Sequence, residues 1–198
     1  MGLEAGMTYD RAHDLLVQHN AQPFHIEHAE TVSGVMRFFA REMDPGNEEF
    51  WAVAGLLHDL DWEEHVDEPE RHTSYARPLI EEAGGTAELV HAVMSHASCV
   101  NPDSPAPASD MEKVLYATDE LTGLIGAAVV MRPSKSVMDF TPKSLKKKFK
   151  DKSFAAGCSR DVIREGAEML GWDLADLFAR TIEAMQSFAP DRDSFPAA

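Results

Sequence analysis

The sequence contains little cysteine and has no apolar run long enough to cross a bilayer. Its two cysteines, Cys99 and Cys158, are typical of reduced thiols in a cytoplasmic protein, although one disulfide between them is the open alternative. The longest nearly apolar run is LTGLIGAAVVM at residues 121–131. A membrane-spanning helix needs about 20 such residues. The run therefore predicts a buried core helix, and we expect no membrane association.

Basic residues are also scarce. Lysine and arginine together number 18, against 34 aspartates and glutamates, which gives a formal net charge of −16. A surface this acidic repels phosphate backbones, so we expect no nucleic-acid partner. The first residues, MGLEAGMTYD, carry no basic stretch followed by an apolar segment. We therefore expect no signal peptide and a cytoplasmic location.

The spacing of apolar residues predicts helices throughout, and no alternating β-branched run predicts a strand. A chain of 198 residues with 44% hydrophobic content suits one domain with a sizeable core. We predict an all-α fold, a single helical bundle over residues 1–189. Its core is expected at about 20–131 and a C-terminal helical extension at about 132–189, followed by a flexible tail at 190–198.

Capping residues indicate where the helices begin and end. The predicted N-caps are Thr8, Asn47, Thr86, Ser109 and Asp173. Glu112 completes a capping-box pattern with Ser109, and Gly171 is expected to end a helix. The first predicted helix follows Thr8. The later predicted helices cover about 24–42, 48–62, 73–83, 86–98, 109–131, 159–170 and 173–188. A short lysine-rich helix is also predicted within 132–158.

The segment AGLLHDLDW places His58 and Asp59 directly after an apolar run that should be buried. Burying an ionised group costs about several kcal/mol unless something compensates. The chain has nine histidines and a second His-Asp pair, His13-Asp14, on a polar helix where Asp14 can face water. His58-Asp59 is therefore the pair that predicts a buried polar site.

Further histidines and acids are expected to point inward. His28 lies on an apolar stripe of its predicted helix, and spacing alone does not exclude the neighbouring His25. His96 lies on the apolar face of a later helix, while His91 is about 140° away around the same helix. Asp119 is followed on its own face by glycines, which allow another element to approach closely.

These inward-facing imidazoles and carboxylates have a common explanation if they converge on a metal ion. Such ligands suit Mn, Fe, Co, Ni or Zn better than Ca. The alternative is that each one is an ordinary core polar residue, bonded to backbone or water.

Taken together, one set of residues resembles the ligand pattern of the HD-domain superfamily of all-helical, metal-dependent phosphohydrolases. The set is His28, His58, Asp59, His72, His96 and Asp119. HAETVSGVMRFFA resembles the helix of the first histidine, and AGLLHDLDW resembles the His-Asp segment. ATDELTGLIGAAVVMRPSKS and REGAEMLGWDL are similar to a bacterial HDIG-type subset. The resemblance covers about residues 20–188.

The resemblance implies that the six side chains bind one or two divalent ions, with Asp59 as the bridging ligand. His72 and His96 fill the positions typical of the two-metal type, so we expect two ions. The Gly-Lys that often follows His-Asp in this superfamily is Asp61-Trp62 here. A lysine that could contact phosphate is therefore missing, and Trp62 also stands where HD nucleotidases often have glutamate.

The implied activity is hydrolysis of a small phosphorylated substrate, a phosphomonoester or phosphodiester, nucleotides included. A metal ion can lower the pKa of its bound water to about 7, and the resulting hydroxide would attack phosphorus. Asp59 is expected to be catalytic as the bridging ligand, and Asp61 and Glu63 are the candidates for the general acid. Asp61 has an alternative role, which is to orient a ligand histidine.

The segment KSLKKKFKDK at 143–152 concentrates lysines in an otherwise acidic chain. Such a cluster predicts a local anion site, with a substrate phosphate as its occupant. The predicted substrate-binding residues are Arg132, Lys135, Lys143, Lys147 and Lys148. The alternative is a solvated helix that balances nearby acids.

Two further functions are open at this point. Some HD proteins with the six-ligand set activate O₂ at iron, so a di-iron oxygenase is one alternative. A non-catalytic nucleotide-binding domain is the other. The sequence is compatible with an oligomer.

Overall fold

The protein folds into helices joined by turns and short loops. The computed structural model describes the backbone of residues 2–192 and the side chains of residues 2–189, and no strand occurs in that range. The predicted all-α class is therefore confirmed. The α-helices are α1 (Tyr9–His19), α2 (Pro23–Met43), α3 (Glu48–Leu57), α4 (Trp62–His65), α5 (Ala76–Glu82), α6 (Ala87–His96), α7 (Asp110–Val130), α8 (Pro142–Lys150), α9 (Arg160–Leu170) and α10 (Leu174–Arg192).

Two short 3-10 helices, Pro69–Arg71 and Ala97–Cys99, complete the described elements. Helix α10 continues into the predicted tail as far as Arg192. The remainder of that predicted tail, residues 193–198, lies outside the described residues.

The centre of the molecule is formed by α2, α3 and α7, with α9 and α10 packed around them. Helix α3 is buried from Phe50 to its end. Gly55 allows α3 to lie against α2, because a Cβ added there would stand 2.8 Å from Met36 Cγ and 3.1 Å from Ser33 Cα. The C-terminal end of α3 therefore projects into the core, and His58 directly after it is 0% exposed.

The apolar run at 121–131 forms the second half of α7, as predicted for a core helix. Leu121, Leu124 and Ile125 are all fully buried there. Among residues 2–192, no helix combines the length and the apolar character needed to cross a membrane.

Three predicted N-caps are confirmed. The side-chain oxygens of Thr8, Thr86 and Ser109 each accept a backbone N–H from the residue three positions on, at 3.3, 3.2 and 3.2 Å. Glu112 accepts the N–H of Ser109 at 2.9 Å and completes the capping box. Gly171 ends α9 with φ 67°, in the left-handed conformation that favours glycine.

The prediction that the Asn47 side chain caps α3 is wrong. The residue stands at the N-cap position of α3, but its side chain makes no capping hydrogen bond. It donates to Asp44 Oδ1 at 2.7 Å and accepts from the backbone N–H of Leu3 at 2.7 Å. Asn47 therefore ties the N-terminal segment to the turn between α2 and α3.

Helix α3 ends at Leu57, about five residues earlier than predicted, and this difference shapes the candidate site. The next backbone bonds reach only three residues back, from Leu60 N to Leu57 O at 3.2 Å and from Trp62 N to Asp59 O at 3.0 Å. Consecutive side chains of an α-helix diverge by about 100°. In the turn after α3 the side chains of His58 and Asp59 nevertheless converge, with His58 Nε2 at 3.3 Å from Asp59 Oδ2.

Helix α5 begins at Ala76, about three residues later than predicted. Its N-terminal N–H groups bond to Asp61, with Ala76 N at 3.0 Å from Asp61 Oδ2. Thr73 just before it has φ 69°, a left-handed conformation that costs a β-branched residue about 1–3 kcal/mol. The Asn101 side chain donates to the carbonyl oxygen of His72 at 2.7 Å. The surroundings thus hold the segment that carries His72 in one defined conformation.

Candidate metal centre

Six side chains that are distant in sequence come together between α2, α6 and α7. They are the predicted ligands His28, His58, Asp59, His72, His96 and Asp119. The first group, whose ligand atoms all lie within 4.8 Å of one another, is His28, His58, Asp59 and Asp119. The second group, defined by the same distance, is Asp59, His72 and His96. Because Asp59 belongs to both, cations bound by the two groups would share one carboxylate.

Three of the histidines are held with Nε2 facing this centre. The Nδ1 atoms of His58 and His96 donate to backbone carbonyl oxygens at 2.8 and 2.5 Å, and His72 Nδ1 donates to Asp61 Oδ1 at 2.9 Å. Because a carbonyl oxygen only accepts, His58 and His96 carry a proton on Nδ1. When such a ring is neutral, its Nε2 atom presents a lone pair, which is the arrangement found in metal-binding histidines.

The Nε2 atoms lie too close together to be stable as neutral acceptors. His72 Nε2 and His96 Nε2 are 3.0 Å apart, and Asp59 Oδ1 lies 3.1 Å from His72 Nε2. On the other side, His28 Nε2 and His58 Nε2 are 3.2 Å apart. Lone pairs and carboxylate oxygens repel at these distances unless a proton or metal ion lies between them. The nitrogen and oxygen donors fit a divalent transition metal.

The electrostatics of the cluster favour positive charge at two of its histidines, whereas burial and the neighbouring rings lower the pKa of His96. Although burial alone disfavours the charged ring, the carboxylates of Asp59 and Asp119 raise the pKa of His58 well above its usual value. Burial is likewise outweighed at His72, where neighbouring carboxylates raise the pKa to about 9. Burial by itself would raise the pKa of Asp119, but the nearby His58 holds it well below the usual range. Surroundings that stabilise charged rings in this way also favour a bound dication.

Asp61 lies behind the ligands and does not face a substrate. It is 1% exposed, and its oxygens accept hydrogen bonds from His72 Nδ1 at 2.9 Å and from the N–H groups of Tyr75 and Ala76 at 3.1 and 3.0 Å. Burial is outweighed by these bonds, so its pKa is lowered and it stays a carboxylate. The structure does not place Asp61 as a general acid. Its position matches the alternative role of orienting a ligand histidine.

Glu63 is directed away from the cluster. Its carboxylate accepts the backbone N–H groups of Ala21 and Gln22, both at 3.1 Å. It therefore fastens α4 to the turn between α1 and α2, and the structure does not place it as a general acid either. Closeness to Asp59 in sequence was misleading because Glu63 lies on α4, on the side that faces the start of α2.

The predicted phosphate-binding residues also lie elsewhere. Helix α8 buries Leu145 and Phe149 and leaves its lysines on the other face. Arg132 forms a 2.7 Å ion pair with Asp139, and the Lys148 ammonium lies 4.0 Å from the centroid of the Phe154 ring. The structure does not bring the following predicted residues to the described walls of the cavity beside the ligands: Arg132, Lys135, Lys143, Lys147 and Lys148. Most lysines of α8 are exposed to solvent, as the solvated-helix alternative expects.

A cavity of about 600 Å³ opens beside the candidate ligands. Its walls come from α2, from the end of α6, from α7 and from the segment 151–159 before α9. Among the ligands, His28, Asp59, His72, His96 and Asp119 all line it. A molecule in the cavity can therefore reach both groups of ligand atoms.

Sequence reasoning missed two polar residues that line this cavity near Asp119. Burial and the Asp119 carboxylate raise the pKa of Glu120 to about 8, so in the absence of a bound cation it holds its proton at neutral pH. The Tyr116 hydroxyl donates to Glu165 Oε2 at 2.9 Å. Their closeness to Asp119 in sequence was the available signal, but neighbouring helix positions diverge too widely for that signal to assign a face.

Arg160 organises the segment 151–159 that forms one wall. Its guanidinium donates to the carbonyl oxygens of Ala155 and Cys158, both at 2.6 Å, and to those of Asp151 and Phe154. No sequence pattern predicted this role, because every one of these partners is a backbone atom. The segment is therefore shaped by one side chain on the next helix.

The other candidates considered for the site lie outside both ligand groups. His25 lines the cavity, whereas His91 is half-exposed and bonds to a neighbouring carboxylate through Nδ1 at 2.8 Å. Cys99 and Cys158 are free and line the cavity. Burial raises the pKa of Cys99 to about 11 and that of Cys158 to about 12, so both are thiols at neutral pH.

Comparison with known proteins found no matching family model, no similar curated protein and no similar solved structure. The chain is all-helical, and its histidine and aspartate cluster has the composition and spacing to bind a metal ion. The function of the cluster must therefore be inferred from its chemistry.

Proposed function

We propose that this protein is a metal-dependent hydrolase of small phosphate esters, of the HD-domain type that its sequence resembles. The observation that supports this most directly is the shared carboxylate of Asp59, which belongs to both groups of ligand atoms. Divalent ions bound in such a pair of positions supply Lewis acidity and an activated water. The proposed ligands are the six residues of the two groups.

The residues around the ligands would keep this site in a fixed geometry. The carbonyl oxygen of Gly55 holds the His58 ring, and Asp61 holds the His72 ring. Asn101 holds the backbone of His72 in place. Fixed rings lose little freedom when a substrate binds, and such positioning is one main source of catalysis at a metal site.

The direct test loads the metal-stripped protein with Mn²⁺, Co²⁺, Ni²⁺, Fe²⁺ or Zn²⁺ and measures metal content and phosphate release from a panel of mono- and diesters. We expect bound metal and hydrolysis of at least one ester. Asp59→Ala should lose both, because both groups lose a member. Asp14→Ala, which removes the exposed acid of the second His-Asp pair, is the matched control and should keep both.

The two readouts separate the parts of the proposal. Tight metal binding without phosphate release from any ester would contradict hydrolysis, and raised melting temperature with nucleotides but no turnover would favour a binding domain. Failure to bind any of the five metals would contradict the metal centre itself.

A di-iron oxygenase is the second candidate function, and one observation favours it. Asp59, His72 and His96 form a group of two histidines and one carboxylate, which is the ligand set of one iron in many non-haem oxygenases, and the other group could hold the second iron. Anaerobic loading with Fe²⁺ followed by oxygen-uptake measurements tests this candidate. Oxygen uptake that depends on an added substrate would support it, and its absence from an iron-loaded, ester-hydrolysing protein would exclude it.

A further inference from the structure

From the shape of the cavity, we infer that the substrate carries an uncharged apolar group that lies along α7 while its phosphate lies at the ligand cluster. The inference rests on the proposed function only in taking phosphate to be the group that the cluster holds. It narrows the substrate class from phosphate esters in general to esters of apolar alcohols.

One wall of the cavity is a continuous face of α7. Asp119, Gly123, Gly126 and Ala127 all line it, at spacings of four, seven and eight residues from Asp119, which places them on one side of the helix. At 1.5 Å per residue, Ala127 lies about 12 Å along the helix from Asp119. The cavity therefore extends away from the ligands beside small residues that leave it open.

The facing wall is also small or apolar in this part. Ala155, Gly157 and Val162 line it, and a Cβ added at Gly157 would meet no atom within 4 Å. Phe24 and Val100 are 39% and 45% exposed at the edge of the cavity, which makes its rim apolar as well. An apolar group would remove this surface from water, and that burial is favourable in proportion to its area.

The charged residues of the cavity also favour a substrate with an uncharged apolar group. Besides the candidate ligands Asp59 and Asp119, the acidic residue Glu27 lines it. Phosphates beyond the one at the cluster would lie among these acidic groups, and like charges in a partly buried site repel strongly. A polyphosphate or nucleoside triphosphate is therefore disfavoured relative to an apolar monoester.

The experiment measures binding without turnover. Methyl-, butyl-, hexyl- and octylphosphonate, whose C–P bonds resist hydrolysis, are titrated calorimetrically into protein loaded with Mn²⁺. We expect affinity to rise about three- to four-fold per added methylene until the cavity is filled. ATP should bind more weakly than hexylphosphonate.

Ala127→Leu places three extra carbons in the proposed space and should weaken octylphosphonate binding at least ten-fold more than methylphosphonate binding. Val162→Phe fills the same space from the facing wall and provides a second test if the first variant folds poorly. The matched control is Ala175→Leu on the exposed face of α10, which should leave the length dependence unchanged.

Affinity that does not depend on chain length, ATP binding tighter than hexylphosphonate, or equal weakening of all lengths in both variants would overturn the inference. A parallel titration of metal-free protein with 1-butanol, 1-hexanol and 1-octanol separates it from the proposed function. Length-dependent alcohol binding that Ala127→Leu removes would support the apolar site even if no ester is hydrolysed. Hydrolysis of methyl phosphate without any length dependence would overturn this inference and leave the proposed function standing.

Discussion

At the scale of residues, the candidate centre depends on groups that would not touch a metal ion. Asp61 bonds to the far side of the His72 ring and to the first N–H groups of α5 at the same time. It therefore couples the orientation of a ligand to the start of a helix. Such partners of metal-binding histidines affect metal affinity although they lie one step away from the ion.

Asp61→Asn should weaken metal binding about 10- to 100-fold while the protein stays folded, because the His72 ring loses its charged partner. Calorimetric titration with Mn²⁺ measures the affinity, and circular dichroism checks the fold. The control is Glu63→Gln, whose carboxylate bonds to the N–H groups of Ala21 and Gln22 instead. Equal losses in the two variants would contradict the role given to Asp61.

Glu112 gives a pH-dependent prediction away from the centre. Burial alone would raise its pKa, but the N–H groups of Ser109 and Ala108 and the His91 ring lower it below the ordinary value of 4.5. A lowered pKa means that the stability it contributes is present above about pH 4.5 and is lost as the pH falls through the folded-state value.

Glu112→Gln should therefore reduce the free energy of unfolding by about 1 kcal/mol at pH 7, because a neutral amide oxygen accepts weaker hydrogen bonds from the N–H groups of Ala108 and Ser109 than a carboxylate does. The difference from the unmodified protein should shrink towards zero in acid. Urea unfolding at pH 7, 5 and 3 measures it, with the exposed Glu168→Gln as control. A difference that grows as the pH falls would refute this account.

At the scale of elements, α9 approaches closely the helix α7 that carries Asp119. Gly166 on α9 lies against α7, since a Cβ added there would stand 2.5 Å from Ala117 Cα and 3.0 Å from Ala117 N. Those are backbone atoms, so the two helices would have to move apart. Only glycine allows the observed distance between them.

Gly166→Ala is expected to destabilise the protein by about 1–3 kcal/mol, as overpacking does. Helix propensity alone predicts the opposite sign, since alanine stabilises a helix by about 1 kcal/mol relative to glycine. Chemical denaturation of the variant decides between them. Gly157→Ala, whose added Cβ meets nothing within 4 Å, is the control and should change stability little.

At the scale of the whole molecule, the candidate centre joins elements that are far apart in the chain. Its ligands come from α2, the turn after α3, the segment before α5, the end of α6 and α7. An ion bound there would hold these elements together, and binding to the folded state alone adds to the free energy of unfolding. Metal content and global stability should therefore be linked.

Saturating Mn²⁺ at about 100 times its dissociation constant should stabilise the protein by about 2.7 kcal/mol, and a chelator should remove that gain. Thermal unfolding with and without the ion measures the effect. Asp59→Ala should show no stabilisation by Mn²⁺, because both ligand groups lose a shared member. Equal stabilisation of that variant would indicate that the ion binds elsewhere.

Much of the fold and the identity of the clustered residues were predictable from sequence. Helix ends at Thr8, Thr86 and Ser109 depend on local hydrogen bonds between residues three apart, which a sequence displays directly. The six clustered side chains were predicted from inward-facing helix positions together with the resemblance to HD domains. The capping residues and the clustered side chains were both recognised from the spacing of residues along the chain.

Only the tertiary structure decided which polar side chains face the cavity and which support it from behind. Asp61 and Glu63 are near neighbours of Asp59 in sequence, yet one bonds behind His72 and the other to the turn before α2. The lysines of α8 carry the expected charge but lie on a face away from the ligands. Composition and periodicity determine which elements form, whereas the angles between helices and the tight turns after α3 depend on packing that no local pattern encodes.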